Sequence, residues 1–245
     1  MQQTQEDVYE NLPELKRVEV PREDHKREVK SYVLRSGYLH SSDLQALQRY
    51  FPVYGIPYRD AVTDFSSFFP EKKPLVIEIG FGMGDATLRI AKERPACDYL
   101  GLEVFLTGFA RLMNKVGTQN VDNLRLMRFD AVTVLKTMVA DGSVAGFHIF
   151  FPDPWQKRKQ QKRRLIQEPF ARLLASKLQK GGYIYCVTDW EAYAVQMLQV
   201  FASVPSLTNP YGGYAESRPW RPRTHFEEKG LAAERPIREI WVEKA

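Results

Sequence analysis

From Lys73 onward the apolar positions of the chain switch between two periods. Short apolar runs rich in strand-forming residues at 75–79, 99–104, 124–129, 147–151 and 183–187 predict strands, and helical spacing fills the intervals between them. Phe105, Phe109, Leu112 and Val116 recur at +4, +3 and +4 and predict a helix stopped at Gly117. A second helix is predicted from Pro169, in a first-turn position, through Leu173, Leu174 and Leu178 to Gly181-Gly182. Asp189 is placed to cap a third, carrying Val195, Leu198 and Phe201. The alternating run 237–242 predicts a terminal strand. Strands and helices alternating at this interval predict an α/β domain with a parallel sheet covered on both faces.

The first 70 residues follow neither rhythm. Residues 1–30 are charge-mixed and poor in apolar side chains, which predicts a mobile tail. In 31–70, Ser41-Ser42-Asp43 offers a cap for a short helix carrying Leu44, Leu47 and Phe51, which Pro52 and Pro57 should end. The aromatic-rich stretch 50–69 reads as a strap packed across the main domain, 71–245.

A net charge of +5 over 245 residues is a mild bias, but it is unevenly placed. Segment 154–182 holds nine basic residues and one acid, hence +8, which leaves the other 216 residues at −3. A local basic patch is the footprint of a surface that grips phosphate. Cys97 and Cys186 are far apart and fit no zinc, iron–sulfur or disulfide spacing, so no metal is expected and a reducing cytoplasm is. The polar start lacks a signal-peptide core, and no apolar run approaches the ~20 residues that span a bilayer. A soluble cytoplasmic protein is expected, without a membrane or an obligate protein partner, and most simply a monomer.

In an open parallel sheet, ligands bind outside the carboxyl ends of the strands. Here each end supplies an acid: Glu78, Glu103, Asp130 and Asp153, one βα unit apart. The first is followed by a glycine loop, Gly80-Phe81-Gly82-Met83-Gly84, which by itself suits any nucleotide-like cofactor. Its flanks discriminate. A pyrophosphate would meet Glu78 and Asp85, which is placed to cap the next helix, whereas the sulfonium and ammonium of S-adenosylmethionine gain from acids there. Glu103 is placed to accept from ribose hydroxyls and Asp130 from the adenine amino group. After the fourth strand, Phe151-Pro152-Asp153-Pro154-Trp155 holds an acid and an indole forward between two prolines. Six positive charges follow within 156–164.

Through Glu78-Ile79-Gly80-Phe81-Gly82-Met83-Gly84, Pro152-Asp153-Pro154-Trp155 with its basic tail, and 221–230, the chain resembles the bacterial tRNA (guanine-N7)-methyltransferase family; 31–37 also looks like that family's N-terminal segment. The resemblance covers about 85% of the chain. It implies a Rossmann-like class I methyltransferase fold with a mostly parallel seven-stranded sheet, S-adenosylmethionine as methyl donor, and N7 of guanosine 46 in the tRNA variable loop as acceptor. It implies cofactor contacts at Glu78, Gly80, Gly82, Gly84, Glu103, Asp130 and Asp153, with Asp153 also at the catalytic centre. Substrate contacts would fall at Lys157, Asp189, Thr224 and Glu227, and RNA contacts at Lys159, Lys162, Arg163 and Arg164. One departure stands out: Gln156 and Gln160 occupy positions where the family usually has His, so neither receives a catalytic role. On sequence physics Thr224-x-x-Glu227 is also a capping box.

Three other activities are compatible with parts of this pattern. A methyltransferase acting on an exocyclic amino group also places an acid and an aromatic after strand four, but with two adjacent prolines, which this chain lacks. A nicotinamide-dependent oxidoreductase and a non-catalytic RNA-binding module complete the set.

Overall fold

A computed structural model of the chain describes residues 39–245, with Gln2, Gln3, Leu12, Leu15 and 30–32. Strand β1 (Gln2–Gln3) pairs antiparallel with β2 (Leu39–His40), which leads into helix α1 (Ser41–Tyr54). The main domain then runs β3 (Leu75–Ile79), α2 (Asp85–Glu93), β4 (Asp98–Leu102), α3 (Leu106–Gln119), β5 (Leu124–Met127), α4 (Ala131–Thr137) and β6 (Val144–Phe150). It continues through α5 (Glu168–Lys177), β7 (Leu178–Thr188), α6 (Glu191–Ala202), β8 (Leu207–Thr208), α7 (His225–Ala232) and β9 (Arg238–Lys244).

Seven strands form one sheet in the order β5-β4-β3-β6-β7-β9-β8. The first five are mutually parallel, while β9 runs antiparallel to both β7 and β8. Alternating strand residues feed two cores: Ile77, Leu100 and Phe147 pack with α4, α5 and α6 on one face. Val76, Tyr99 and Tyr185 pack with α1, α2 and α3 on the other. The chain steps outward from β3 to β5 and then returns to place β6 beside β3, so the sheet's direction of winding reverses between those two strands. That reversal opens a crevice at their carboxyl ends.

Local signals were overridden at several places. Helix α3 passes through Gly117 and stops at Asn120, whose φ of +50° is the left-handed turn. Gly117 serves packing instead, since a Cβ there would lie 2.2 Å from the Tyr50 ring of α1. Phe105 is the residue capping α3 rather than its first turn. Helix α5 ends at Lys177, and Leu178 turns extended to start β7. Gly181-Gly182 lies in a β-bulge, where the pairing of β6 with β7 slips between Val144 and Gly146.

Helix α1 runs through Pro52 to Tyr54; burying Phe51 and Tyr54 offsets the backbone bond that proline forfeits. Its cap is His40, whose N–H donates to Asp43 Oδ2 at 2.9 Å, one residue before the expected serine. Trp190, not Asp189, precedes α6 at the capping position. Beyond α1, Ile56 N–H donates to Leu126 O at the sheet edge and Tyr58 stacks on Phe129 at 4.0 Å. Most of 1–30 lies outside the described residues, but Leu12 and Leu15 are buried in the α1–α3 core. Arg128 Nη1 holds Leu15 O at 2.7 Å.

Candidate active site

A cavity of about 410 Å³ opens at the reversal point and gathers Glu78, Gly80, Gly82, Gly84, Glu103, Asp130, Asp153 and Thr224 on its walls. Such a volume suits a nucleoside-sized ligand. The three loop glycines have φ of +78°, +58° and +76°, a region that side-chain-bearing residues enter only under strain. Gly108, unremarked in the sequence, lets α3 close on this loop: a Cβ at 108 would lie 2.0 Å from Gly82 O.

Glu78 is 3% exposed, and its Oε2 has no hydrogen-bond partner. Burial outweighs the opposing pull of the Thr87 hydroxyl and, with Glu103 nearby, pushes its carboxyl up to about 8. Such a group is costly to keep and is stabilised when a cation enters beside it. Glu103 is differently held: Oε2 accepts from Gly82 N–H at 2.7 Å, and Oε1 from Val104 and Phe105 N–H at 2.7 and 2.9 Å. Burial raises its carboxyl, and those backbone bonds pull it down. Glu103 therefore pins the glycine loop to the end of β4. Asp130 caps α4 through Thr133 N–H at 2.9 Å, and Asp85 pairs with Lys115 across to α3 instead of capping α2, whose capping residue is Gly84.

The turn after β6 has left-handed backbones at Phe151 (φ +51°) and Trp155 (φ +40°), uncommon for bulky residues and characteristic of sites where geometry is imposed. Between them Asp153 is exposed on the cavity rim, close enough to Glu103 to raise it. Trp155 is held against the 30–32 segment. Its Nε1 donates to Ser31 O at 2.9 Å, and the Arg163 guanidinium lies 4.0 Å over its ring. Arg163 donates to Lys30 O and Tyr32 O at 3.0 and 3.1 Å, so three consecutive carbonyls of 30–32 are held, and Ser31 and Tyr32 form part of the cavity wall.

Other anticipated residues stand further off. Asp189 pairs with Arg235 at 2.7 Å, outside the cavity wall. Thr224 Oγ1 accepts from Glu227 N–H at 3.1 Å, which is half of the capping box. The other half is missing because the Glu227 carboxylate is turned to Arg221, at 2.6 and 3.2 Å. Arg221 is fully surrounded, binding Glu239 at 2.7 Å and Tyr185 at 3.0 Å, while Tyr185 also donates to Glu239. This buried cluster fixes the 221–227 loop over the cavity mouth, where Phe226, 58% exposed, stacks on Phe151 at 6.3 Å.

The +8 segment is not one surface. Lys177 is tied to Asp141 at 2.6 Å, Arg172 to Glu168 at 2.7 Å, and Lys180 lies at the opposite end of β7 from the cavity. Only the stretch around Arg158–Arg163, a 3-10 turn with no buried residue, sits at the rim, with Lys157, Lys159 and Lys162 exposed. Arg164 is 4% exposed and turned inward, with Nε on Pro154 O at 2.8 Å, so it is not part of an exposed run.

Residues 72–240 match the family described as "Putative methyltransferase". The crystal structure of the 16S rRNA methyltransferase KamB shares the fold, with a TM-score of 0.56 at 10% identity, over 77% of this chain and 100% of that one. Sheet order, glycine loop and acidic crevice together define a Rossmann-like class I methyltransferase. The chain is 44% identical over 207 residues to the tRNA (guanine-N(7)-)-methyltransferase of Methylobacillus flagellatus, covering 84% of this chain and 87% of the relative. It is 47% identical over 206 residues to that of Chromobacterium violaceum, covering 84% and 91%. The chain belongs to the tRNA (guanine-N7)-methyltransferase family.

Proposed function

We propose that the protein transfers the methyl group of S-adenosylmethionine to N7 of a guanosine in tRNA, guanosine 46 of the variable loop, in the cytoplasm and as a monomer. The observation that carries the reading is the convergence of four strand-end acids on one cavity, with a buried, unpartnered carboxylate oxygen at Glu78. That oxygen suits a cationic ligand and opposes a pyrophosphate, which argues for the methyl donor over a nicotinamide dinucleotide. When bound, S-adenosylmethionine supplies an electrophilic methyl on a positively charged sulfur.

Guanine N7 carries a free lone pair at neutral pH, so the chain's task is positioning rather than proton removal. Glu78 balances the donor's positive charge at the floor, and Glu103 and Asp130 hold the two ends of the nucleoside. Asp153, on the rim, accepts hydrogen bonds from the guanine's Watson–Crick edge and stabilises the positive charge that moves onto the purine, an effect of a few kcal/mol. Phe226, paired with Phe151, offers the face on which the extruded base stacks. At Trp155 one face of the indole is covered by the Arg163 guanidinium, and its Nε1 is engaged with Ser31 O.

The test is transfer of labelled methyl to an unmodified tRNA transcript followed by nucleoside analysis. N7-methylguanosine is the product expected. A methyl found on an exocyclic amino group, or none transferred despite tRNA binding, overturns the reading.

A further inference from the structure

Beside the active-site cavity lies a second, of about 190 Å³, sharing Ser31, Asp130, Val132 and Leu165 with it. Its floor is apolar, with Leu165, Phe170 and Leu173, and its rim is cationic: Lys30, Lys136, Lys162 and Arg163. Arg164 also forms part of the wall. Two of its nitrogens, Nε and Nη1, bind Pro154 O and Gln196 Oε1, whereas Nη2 is buried without a partner. That nitrogen is closed to solvent, so Arg164 contributes charge to the wall rather than an open hydrogen-bond donor. The single carboxylate present, Asp130, sits at the seam with the first cavity and is occupied by Thr133 N–H and Oγ1 at 2.9 and 3.0 Å. Among the described residues neither Lys136 nor Lys162 forms an ion pair with a carboxylate.

We propose that this second cavity is a phosphate subsite for the RNA strand, taking a phosphodiester next to the target guanosine on Lys136 and Lys162 and its sugar on the Leu165–Phe170 floor. The inference rests on the RNA-methylating reading above and adds to it a defined place and a residue, Lys136 of α4, outside the basic run. Two features set it apart from a diffuse basic field. The cations arise from separate segments, the 30–32 stretch, α4 and the 156–164 turn, and converge on one concavity. The shared wall also makes that concavity adjoin the cavity proposed for the methyl donor, with Ser31 lining both.

The experiment uses the full chain and an unmodified tRNA transcript, with Lys136→Ala, Lys136→Arg and, as a remote control, Lys180→Ala. Transcript binding is measured from 50 to 200 mM salt, together with methyl-transfer kinetics and calorimetric binding of S-adenosylmethionine. Lys136→Ala is expected to reduce the slope of log K against log salt by about 0.7–0.9, the value for one lost phosphate contact, and to raise KM for tRNA roughly tenfold. The loss should fall on KM rather than kcat, the donor's affinity should hold, and Lys136→Arg should restore both slope and KM. Phosphate-ethylation interference should disappear in Lys136→Ala at one position beside the target guanosine and persist elsewhere. An unchanged slope and KM, or a change equal to that of Lys180→Ala, overturns the subsite while leaving the function reading intact. A wild-type chain that methylates no tRNA overturns both.

Discussion

Replacing Glu78 by Gln tests the acidic floor of the cavity where its cost is largest. Burial with Glu103 nearby holds the folded-state carboxyl at about 8, against 4.5 for an ordinary glutamate. A carboxyl raised by folding binds more protons folded than unfolded, so its contribution to stability is full below about 4.5 and is lost as pH rises through 8. Between pH 6.5 and 8.5 the linkage from this group comes to about 2 kcal/mol, and glutamine, which does not titrate, removes it. His148 does not blur this window. It is fully buried with its imidazole depressed to about 3, and its contribution is common to both proteins, so it cancels from their difference.

The assay is urea unfolding of wild type and Glu78→Gln at intervals across that range. The stability difference between the two should grow by about 2 kcal/mol in favour of the variant as pH rises. At the same time the variant should bind S-adenosylmethionine at least tenfold more weakly, and the wild type alone should release a proton on binding it near pH 7.5, read by calorimetry in two buffers of different ionisation enthalpy. Parallel stability curves, or donor affinity unaffected by the change, would show that Glu78 is neither strained in the free protein nor the partner of a cation.

Further predictions follow from neighbouring features. Arg221→Met strands the Glu227 and Glu239 carboxylates and should cost about 3–5 kcal/mol in urea unfolding, much of it recovered when both glutamates are also changed to Gln; a loss below about 1 kcal/mol would contradict the clamp. Gly108→Ala should lower donor affinity by more than tenfold in a folded protein, because the new methyl displaces the Gly82 carbonyl; unchanged calorimetry would refute the contact. Phe226→Ala should weaken tRNA use by about 1–3 kcal/mol in kcat/KM with donor binding intact, and a matching loss for Trp155→Phe alone would transfer the stacking role to the indole. His148→Phe should flatten the loss of stability as pH falls from 6.5 toward 3, since the buried neutral ring binds fewer protons than the unfolded one.

What could be read in the chain and what could not divide along sequence distance. The four acids were legible because each closes a strand, and parallel topology carries every strand end to the same rim. The glycine loop was legible because left-handed backbone leaves a compositional mark. Pairings across the fold leave none. Trp155 with Ser31, Asp189 with Arg235, and Arg221 with Glu239 join residues 124, 46 and 18 positions apart, and nothing local distinguishes them from free polar side chains. Hence the arginine partners of Asp189 and Glu227 left no mark in the sequence. Gly117 and Gly181-Gly182 misled for the converse reason. Their glycine signal was real, but close helix packing and a bulge, rather than helix ends, called for it. Lys136, a lone lysine on a seven-residue helix, has no motif at all.

The most direct measurement of the account's central claim is aniline cleavage of an unmodified tRNA transcript after incubation with S-adenosylmethionine and either wild type or Asp153→Ala. Asp153 is exposed on the rim, so the variant should fold while losing turnover. The account predicts a single cleavage at one variable-loop guanosine with wild type and none with the variant. Methylation that leaves the strand resistant to aniline, or equal cleavage with a folded Asp153→Ala, would contradict it.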